Sequence, residues 1–576
     1  MKQTFKKRGQ KLAKRLGRFS AQAREDSREH IKENLIDRLP NARRVRLLIL
    51  EWALLIIIIV SLALTQAFWY TQSYSVQAFV DGGTYIEATI GKVNSLNPFF
   101  ATTNSEKVLS KLMFATISTI DYSGHVGLGL AESITPDETG KTWTVKLKDG
   151  LKWSDGEPIT IEDVIFTIKL AKDSNVNSIY SANFSGVNIE QVGNAVVLTL
   201  PASYADFSAA LNVPVLPAHV LGNVPTSKIL EHSFSTNPVT SGAFTFNATQ
   251  NLTADGEKIV YLSANGNYYR GEPMLSSFAI HTYSNTDSIL TALTTGEVTA
   301  TAELSAVEGA TLSSDLVYEK QTTIANGVFA FLNTTSPLLT NTETRRGIQQ
   351  GVDMATVRSV LDGEEALNYP ILPSTIALHN YPALPAYNLA EAQAKIQSSG
   401  AAGQTIQLVT IASGYFPALA DEFEEQLERL GFNVELTIYE PGQEFLLNVI
   451  RPRNYDILLY EIELGADPDL LPYYHSSQAS TSGLNLSNYH DALVDDLILA
   501  ARSTMNESLR VAKYESFLKS WVDDVPAIGI YQASLTYFFN KNVRAFSEDD
   551  RLVYATDRFV DVETWAVNKA TKNRTP

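Results

Sequence analysis

The sequence predicts an α/β protein of several units behind one N-terminal transmembrane helix, and three observations carry that reading. The stretch LLILEWALLIIIIVSLALTQAFWY (47–70) is long and apolar enough to cross a bilayer, which takes about 20 residues. TIQLVTIASGYFPALADEFEEQLERLGFNVELTIYE (405–440) reads as strand, helix, strand, and a crossover of that length implies a parallel βαβ unit. The chain has 576 residues, too many for one core, with an ordinary globular balance of 44% hydrophobic and 19% charged residues.

The apolar run carries one charge, Glu51, near its basic end, where it can snorkel to the interface. Arg43, Arg44 and Arg46 flank that end and predict a cytoplasmic N-terminus, while Trp69 and Tyr70 sit where an outer aromatic belt would lie. The alternative is a secretory signal cleaved at Thr65-Gln66-Ala67. A basic region of 46 residues is too long for an ordinary signal, so an uncleaved anchor is expected. Residues 1–46 hold 15 basic and 5 acidic residues, and the remainder 31 basic and 58 acidic. An acidic outer part does not suit nucleic acid, whose phosphates need basic clusters. Within the arm, Ile31, Leu35 and Leu39 share one face of a short helix that would favour an anionic inner leaflet; a disordered basic tail is the alternative. The chain has no cysteine, which excludes disulfides, thiolate metal sites and a lipidated cysteine.

Outside the membrane, 71–83 is polar, ends in Gly-Gly and reads as a spacer. In LKDGLKWSDGEPITIEDVIFTI (147–168), Asp149-Gly150 and Asp155-Gly156 predict turns. Thr160 with Asp163 predicts a capping box opening a helix whose buried face begins at Val164, Ile165 and Ile168, and Trp153 packs over that start. His219 reads as a packed structural histidine. TRRGIQQGVDMATVRSVL (344–361) reads as one helix with Ile348, Val352 and Ala355 on a stripe. In 405–440 the buried face is Phe423, Leu427 and Leu430, with Gly431 as C-cap. No P-loop, nucleophile elbow, zincin motif or histidine ligand spacing occurs, so no catalytic residue, metal or cofactor is expected.

The segment 147–168 resembles the hallmark block of the extracytoplasmic peptide- and oligopeptide-binding proteins of ABC importers, solute-binding protein family 5. The likeness continues in order through TYIEATIGKVNSLNPFFA (84–101), KLMFATISTIDYSGHVGLGLAESI (111–134), VLTLPASYADFSAALNVPVLPAHVL (197–221), NPVTSGAFTF (237–246), NYYRGEPMLSSFAI (267–280), GADPDLLPYYHSSQASTSGLNLSNYHDALVDDLILAAR (465–502) and DDVPAIGIYQASLTYFF (523–539). Ser241 and Ala243 depart from the family's Thr and Pro.

The resemblance implies a two-lobed, type II periplasmic-binding-protein-like clamshell closing around its ligand. Lobe I would comprise 84–106, 237–340 and 530–564, an extra small domain 107–236, and lobe II 341–529, with a tail at 565–576. It also implies capture of a peptide or similar-sized solute by a monomer that serves permease subunits and performs no chemistry. A membrane-tethered sensor, a binder of a metal complex, haem or oligosaccharide, and a cell-wall hydrolase are the alternatives. An enclosed extended ligand needs strand edges, aromatics and fixed charges. The matching cleft positions are Asn97, Phe99, Phe100, Ser241, Gly242, Phe244, Phe331, Asn333, Tyr473, Tyr474 and Asn485. Family members fix the peptide ammonium with an aspartate three residues before the Asp-Pro step, and here that position is Leu464. Glu461 and Glu463 alternate with Ile462 and Leu464 and share a face of their strand, so Glu463 is the expected counter-charge, with Glu461 in support and Asp467 nearby.

Protease added to intact cells or spheroplasts should release the outer part and leave the basic arm protected. A soluble mature species beginning near Phe68 would show a cleaved signal instead.

Overall fold

In the computed structural model, the described residues are 46–573 apart from 123, 177, 254–255, 314, 362–364 and 546–551, so the basic arm before Arg46 and its expected short helix lie outside them. They form two units: an anchor unit up to Ala78 that also takes in the chain from Lys569 onward, and a body, Phe79–Asn568.

The anchor is one helix, α1 (Arg46–Tyr74), long and apolar enough to cross a membrane by length and composition. No spacer follows it. The strand β1 (Ser75–Val80) begins at the next residue and pairs with the C-terminal strand Asn568–Asn573, inside the expected tail. The sequence reads 71–83 as a spacer and 565–576 as a tail. SVQAFV does alternate in polarity, and pairing satisfies the backbone groups of both strands.

In the body, β2 (Thr84–Ile90) leads through a Pro98–Phe100 turn to α2 (Asn104–Met113). Thr103 and Glu106 cap α2 reciprocally, and Glu106 also accepts from the backbone N–H groups of Asn94, Ser95 and Thr102, so one buried carboxylate shapes the preceding loop. A separate four-stranded antiparallel sheet follows: β3 (Ala131–Pro136), β4 (Thr142–Leu147), β5 (Asn188–Val192) and β6 (Ala195–Thr199), in the order β3-β4-β6-β5. Between its halves runs α3 (Ile161–Ala171), opened by the Thr160–Asp163 capping box. Gly150 and Gly156 take φ of +74° and +93°, and buried Trp153 donates to Asp163 at 3.4 Å. His219 pairs with Asp155 at 2.9 Å in the same corner.

Ser118–Ile120 and Val126–Leu128 pair with each other, and the remaining strands join β2 in one eleven-stranded sheet. They are β7 (Phe244–Asn251), β8 (Lys258–Ala264), β9 (Ser277–Tyr283), β10 (Ala300–Thr301), β11 (Val317–Leu332), β12 (Thr405–Ile411), β13 (Asn433–Tyr439), β14 (Ile457–Glu463) and β15 (Ala527–Asn540). Their order is β13-β12-β14-β11-β15-β10-β2-β9-β8-β7, and the two-residue strand Glu365–Ala366 pairs with β15. β12 and β13 are parallel, joined by α4 (Phe416–Arg429), and Gly431 caps the turn at φ +99°. The expected single helix at 344–361 is two, Thr342–Gly351 and Met354–Arg358. Asp353 caps the second and accepts from the N–H groups of Ala355 and Thr356, which leaves Ala355 exposed. The long helices α5 (Ala492–Ser503) and α6 (Glu507–Asp524) then lead into β15.

The two longest strands, β11 and β15, pair antiparallel from Val317↔Asn540 to Phe331↔Ala527. The ladder breaks between Thr323 and Gly327, where Ile324, Ala325 and Asn326 face the single residue Ala533. At the break the Ala325 N–H donates to Val553 O at 2.9 Å, and its carbonyl accepts from Leu464 N at 2.7 Å. The two halves of the sheet thus meet at a built-in irregularity of both crossing strands.

Beneath the first half lies a buried ion pair. Arg558 Nη2 donates to Glu87, whose other oxygen accepts from Tyr537 at 2.9 Å, and Tyr537 meets Tyr85 at 2.6 Å. This pair ties the segment after Leu552 to β2 and β15. Breaking it from one side should be costly, because the partner charge stays buried: Arg558→Leu should destabilise the body by about 3–5 kcal/mol, read as a lower thermal midpoint, and Glu87→Gln added to Arg558→Leu should recover part of the loss.

Candidate functional site

The charged residue that ends β14, Glu463, marks the site. Its strand pairs with β11 at Asn326↔Glu463, the last residue of the hinge break. Glu463 keeps solvent-accessible surface. Yet desolvation by the surrounding protein raises its pKa above the ordinary carboxylate value, with Lys107 opposing the shift and Asp557 and Glu461 adding to it. Glu463 is thus accessible and still partly stripped of water by the protein around it.

The surroundings of Glu463 are identified by the groups that feel its charge. Tyr180, between α3 and β5, Tyr473, in the turn after β14, and Tyr554, in the C-terminal segment, all have raised pKa values, through burial first and the charge of Glu463 second. Lys107 stands exposed on α2, while Lys111, one turn on, pairs with buried Asp557 at 2.8 Å. Residues from α2, the segment before β5, the turn after β14 and the C-terminal segment therefore come near one carboxylate. Tyr473 donates to the Glu463 carbonyl at 2.5 Å and holds the strand end in place. Glu461, two residues earlier, accepts from Asn326 at 2.6 Å and Tyr415 at 3.0 Å, so its oxygens are already engaged.

Many of the expected contact residues lie elsewhere. Phe99, Phe244, Phe331 and Tyr474 are fully buried, and Phe100 packs partly buried against the same core as Phe99. Phe99 still backs the cleft, its ring 5.5 Å from that of Tyr180. Asn333 and Asn485 spend their amides on neighbouring backbone, Asn333 on the Arg453 and Tyr455 carbonyls and Asn485 on His475 O, Tyr489 O and Tyr489 N. Asn97 caps the Pro98–Phe100 turn, accepting from Phe99 N at 3.1 Å, and its Nδ2 is buried without a hydrogen-bond partner. Ser241 accepts from Ala115 N at 3.0 Å. Gly242 lets two backbones touch, since a Cβ there would fall 2.5 Å from Leu112 O. Asp467 accepts from Tyr204 of the small domain at 2.6 Å. Among the expected residues, Glu461, Glu463 and Tyr473 thus come together at the cleft. Lys107, Tyr180 and Tyr554 were missed, and no local pattern in the sequence separates them from other surface lysines and tyrosines.

A two-lobed α/β body crossed by two strands, with a charged cleft at the crossing, defines the class of clamshell solute-binding proteins. The chain belongs to the bacterial extracellular solute-binding proteins, family 5, whose model matches residues 125–483. It is 24% identical over 479 residues to the oligopeptide-binding protein AppA of Bacillus subtilis, covering 78% of this chain and 86% of that protein. The solved structure of that AppA with a nonapeptide matches 85% of this chain and all of its own, with a TM-score of 0.71 at 23% identity. NikZ from Campylobacter jejuni, solved with Ni(L-His), matches 84% of this chain and 99% of its own, with a TM-score of 0.72 at 20% identity. At these identities the structural likeness establishes the fold, and the two titles carry different ligands.

Proposed function

We propose that this protein captures peptides outside the cytoplasmic membrane, held there as a monomer by uncleaved α1 with its basic arm inside, and delivers them to the permease subunits of an ABC importer. The relatives' names support the peptide, since AppA of Bacillus subtilis is an oligopeptide-binding protein and several Brucella relatives are putative ABC transporter peptide-binding proteins. The absence of a nearer counter-charge at position 464 is made good by Glu463, one residue before it. That residue is the observation on which the reading turns. It is accessible, no hydrogen bond or ion pair engages its carboxylate among the described residues, and a peptide ammonium would replace the solvation that it loses in the cleft. Tyr180, Tyr473 and Tyr554 would flank the same end of the ligand. Lobe I would be 84–106, 237–340 and 530–564, with the small domain at 107–236 and lobe II at 341–529.

A charge-assisted hydrogen bond from a desolvated carboxylate is worth roughly 1.5–3 kcal/mol. Glu463→Gln should therefore weaken a free-amine peptide by about ten- to a hundredfold and leave its N-acetylated counterpart nearly unchanged in calorimetry. Equal losses for both peptides, or none, would place the ammonium elsewhere. Affinity for a free-amine ligand should also fall as pH is lowered, while that for an acetylated one changes little. Glu463, raised in the closed cleft, is protonated as pH falls through that raised value, and the ammonium contact is lost below it.

A further inference from the structure

A second group of charges joins the small domain directly to lobe II, outside the hinge. The loop after β6 supplies Tyr204 and Asp206, and lobe II supplies Asp467 and Asp469 after β14, Arg502 at the end of α5, and Arg510 and Tyr514 on α6. Tyr204 donates to Asp467 at 2.6 Å, and the Arg502 guanidinium lies 4.1 Å over the Tyr204 ring. Asp206 pairs with Arg510, Arg502 Nε stands 3.3 Å from Asp469, and the Ala205 N–H donates to the Arg502 carbonyl at 2.8 Å. The charges of Asp206 and Asp469 both act on the Asp467 carboxyl.

The charges in this group do not balance. Three carboxylates, Asp206, Asp467 and Asp469, face two guanidiniums, Arg502 and Arg510, so the group is one positive charge short when all three are ionised. One proton supplies the missing charge. We propose that these residues form the latch of the clamshell, and that engaging it takes up one proton, held by Asp467. The proposal rests on the closing motion of the family's fold and not on the identity of the ligand.

The direction of the coupling follows from the surroundings of Asp467. Its carboxyl is raised well above the ordinary value by burial first, then by the charges of Asp206 and Asp469, and Asp469 is raised by burial against the opposing effect of Arg502. Tyr204, Tyr514 and Tyr554 face Asp467 as neutral hydroxyls, their own pKa values raised chiefly by burial. With the lobes apart, the Asp467 carboxyl returns to water and titrates near the ordinary value of about 4. The closed form therefore binds more protons than the open form. Closure is favoured as pH falls and is lost as pH rises through the raised value. Asp467, expected to touch ligand, acts in this closed form on the small domain instead.

The chain lacks cysteine, so Asn188→Cys and Asp496→Cys, both at exposed positions, give a clean pair of dye sites on the small domain and lobe II. Energy transfer in the full-length protein in nanodiscs, stripped of co-purifying solute, reports the closed fraction. The closed-to-open ratio should rise as pH is lowered from about 8 to about 5, by up to about tenfold per unit for one proton. Asp467→Asn, which carries the neutral charge state permanently, should remove that slope and stay closed at high pH. A pH-independent ratio in the unsubstituted protein, a ratio that rises with pH, or a slope retained in a folded Asp467→Asn variant would each overturn the proposal. A retained slope that vanishes in Glu463→Gln would assign the proton to the cleft and leave the ligand reading intact.

Discussion

The antiparallel pairing of β11 and β15 is the constraint on which the rest of the body depends. A ladder this long would be stiff if unbroken, because each residue satisfies its neighbour's backbone groups. Three residues, Ile324–Asn326, leave the ladder against one on the other strand. Their backbone groups are not abandoned: Ala325 is bonded to Val553 on one side and to Leu464 on the other. The strands therefore have a fixed register in each lobe and a short stretch between them where rotation costs few hydrogen bonds. The cleft charge, Glu463, pairs with the last residue of that stretch, so the site sits where the motion is centred.

Buried charge is handled in three ways around this hinge, and the differences separate structure from function. Arg558 and Glu87 are a closed pair, shielded from water and supplied with a tyrosine donor; such a pair holds the C-terminal segment and has nothing left for a ligand. The group around Asp467 joins Asp206 to Arg510 and Asp469 to Arg502, three carboxylates against two guanidiniums. Among the described residues no hydrogen bond engages the Glu463 carboxylate, and desolvation raises its pKa.

Local features were legible in the sequence wherever a local rule governs them. The Asp-Gly turns, the Thr160–Asp163 cap, the parallel unit at 405–440 and the anchor helix each follow from spacing within a few turns of chain. The helix at 344–361 was misread because the apolar stripe continues across Asp353, while the capping preference of that aspartate restarts the helix. The polar stretches flanking the body read as a spacer and a tail, because strand pairing between residues some 490 positions apart leaves no local trace.

By itself the sequence determined the long apolar N-terminal helix, the α/β class and, through an unbroken series of matching blocks, the two-lobed family. It also put Glu461 and Glu463 on one face, since alternation in a strand is a property of the backbone alone. Only the tertiary structure decided which residues have a free surface there. Phe99, Phe244, Phe331 and Tyr474 sit at motif positions, yet their apolar area draws them into the core, as burial does for most large aromatics. Lys107, Tyr180 and Tyr554 come from distant segments and meet Glu463 only once the sheet and small domain are assembled. The same assembly places Tyr204 and Asp206 against Asp467, a contact across 260 residues of chain whose charge balance no window of the sequence contains.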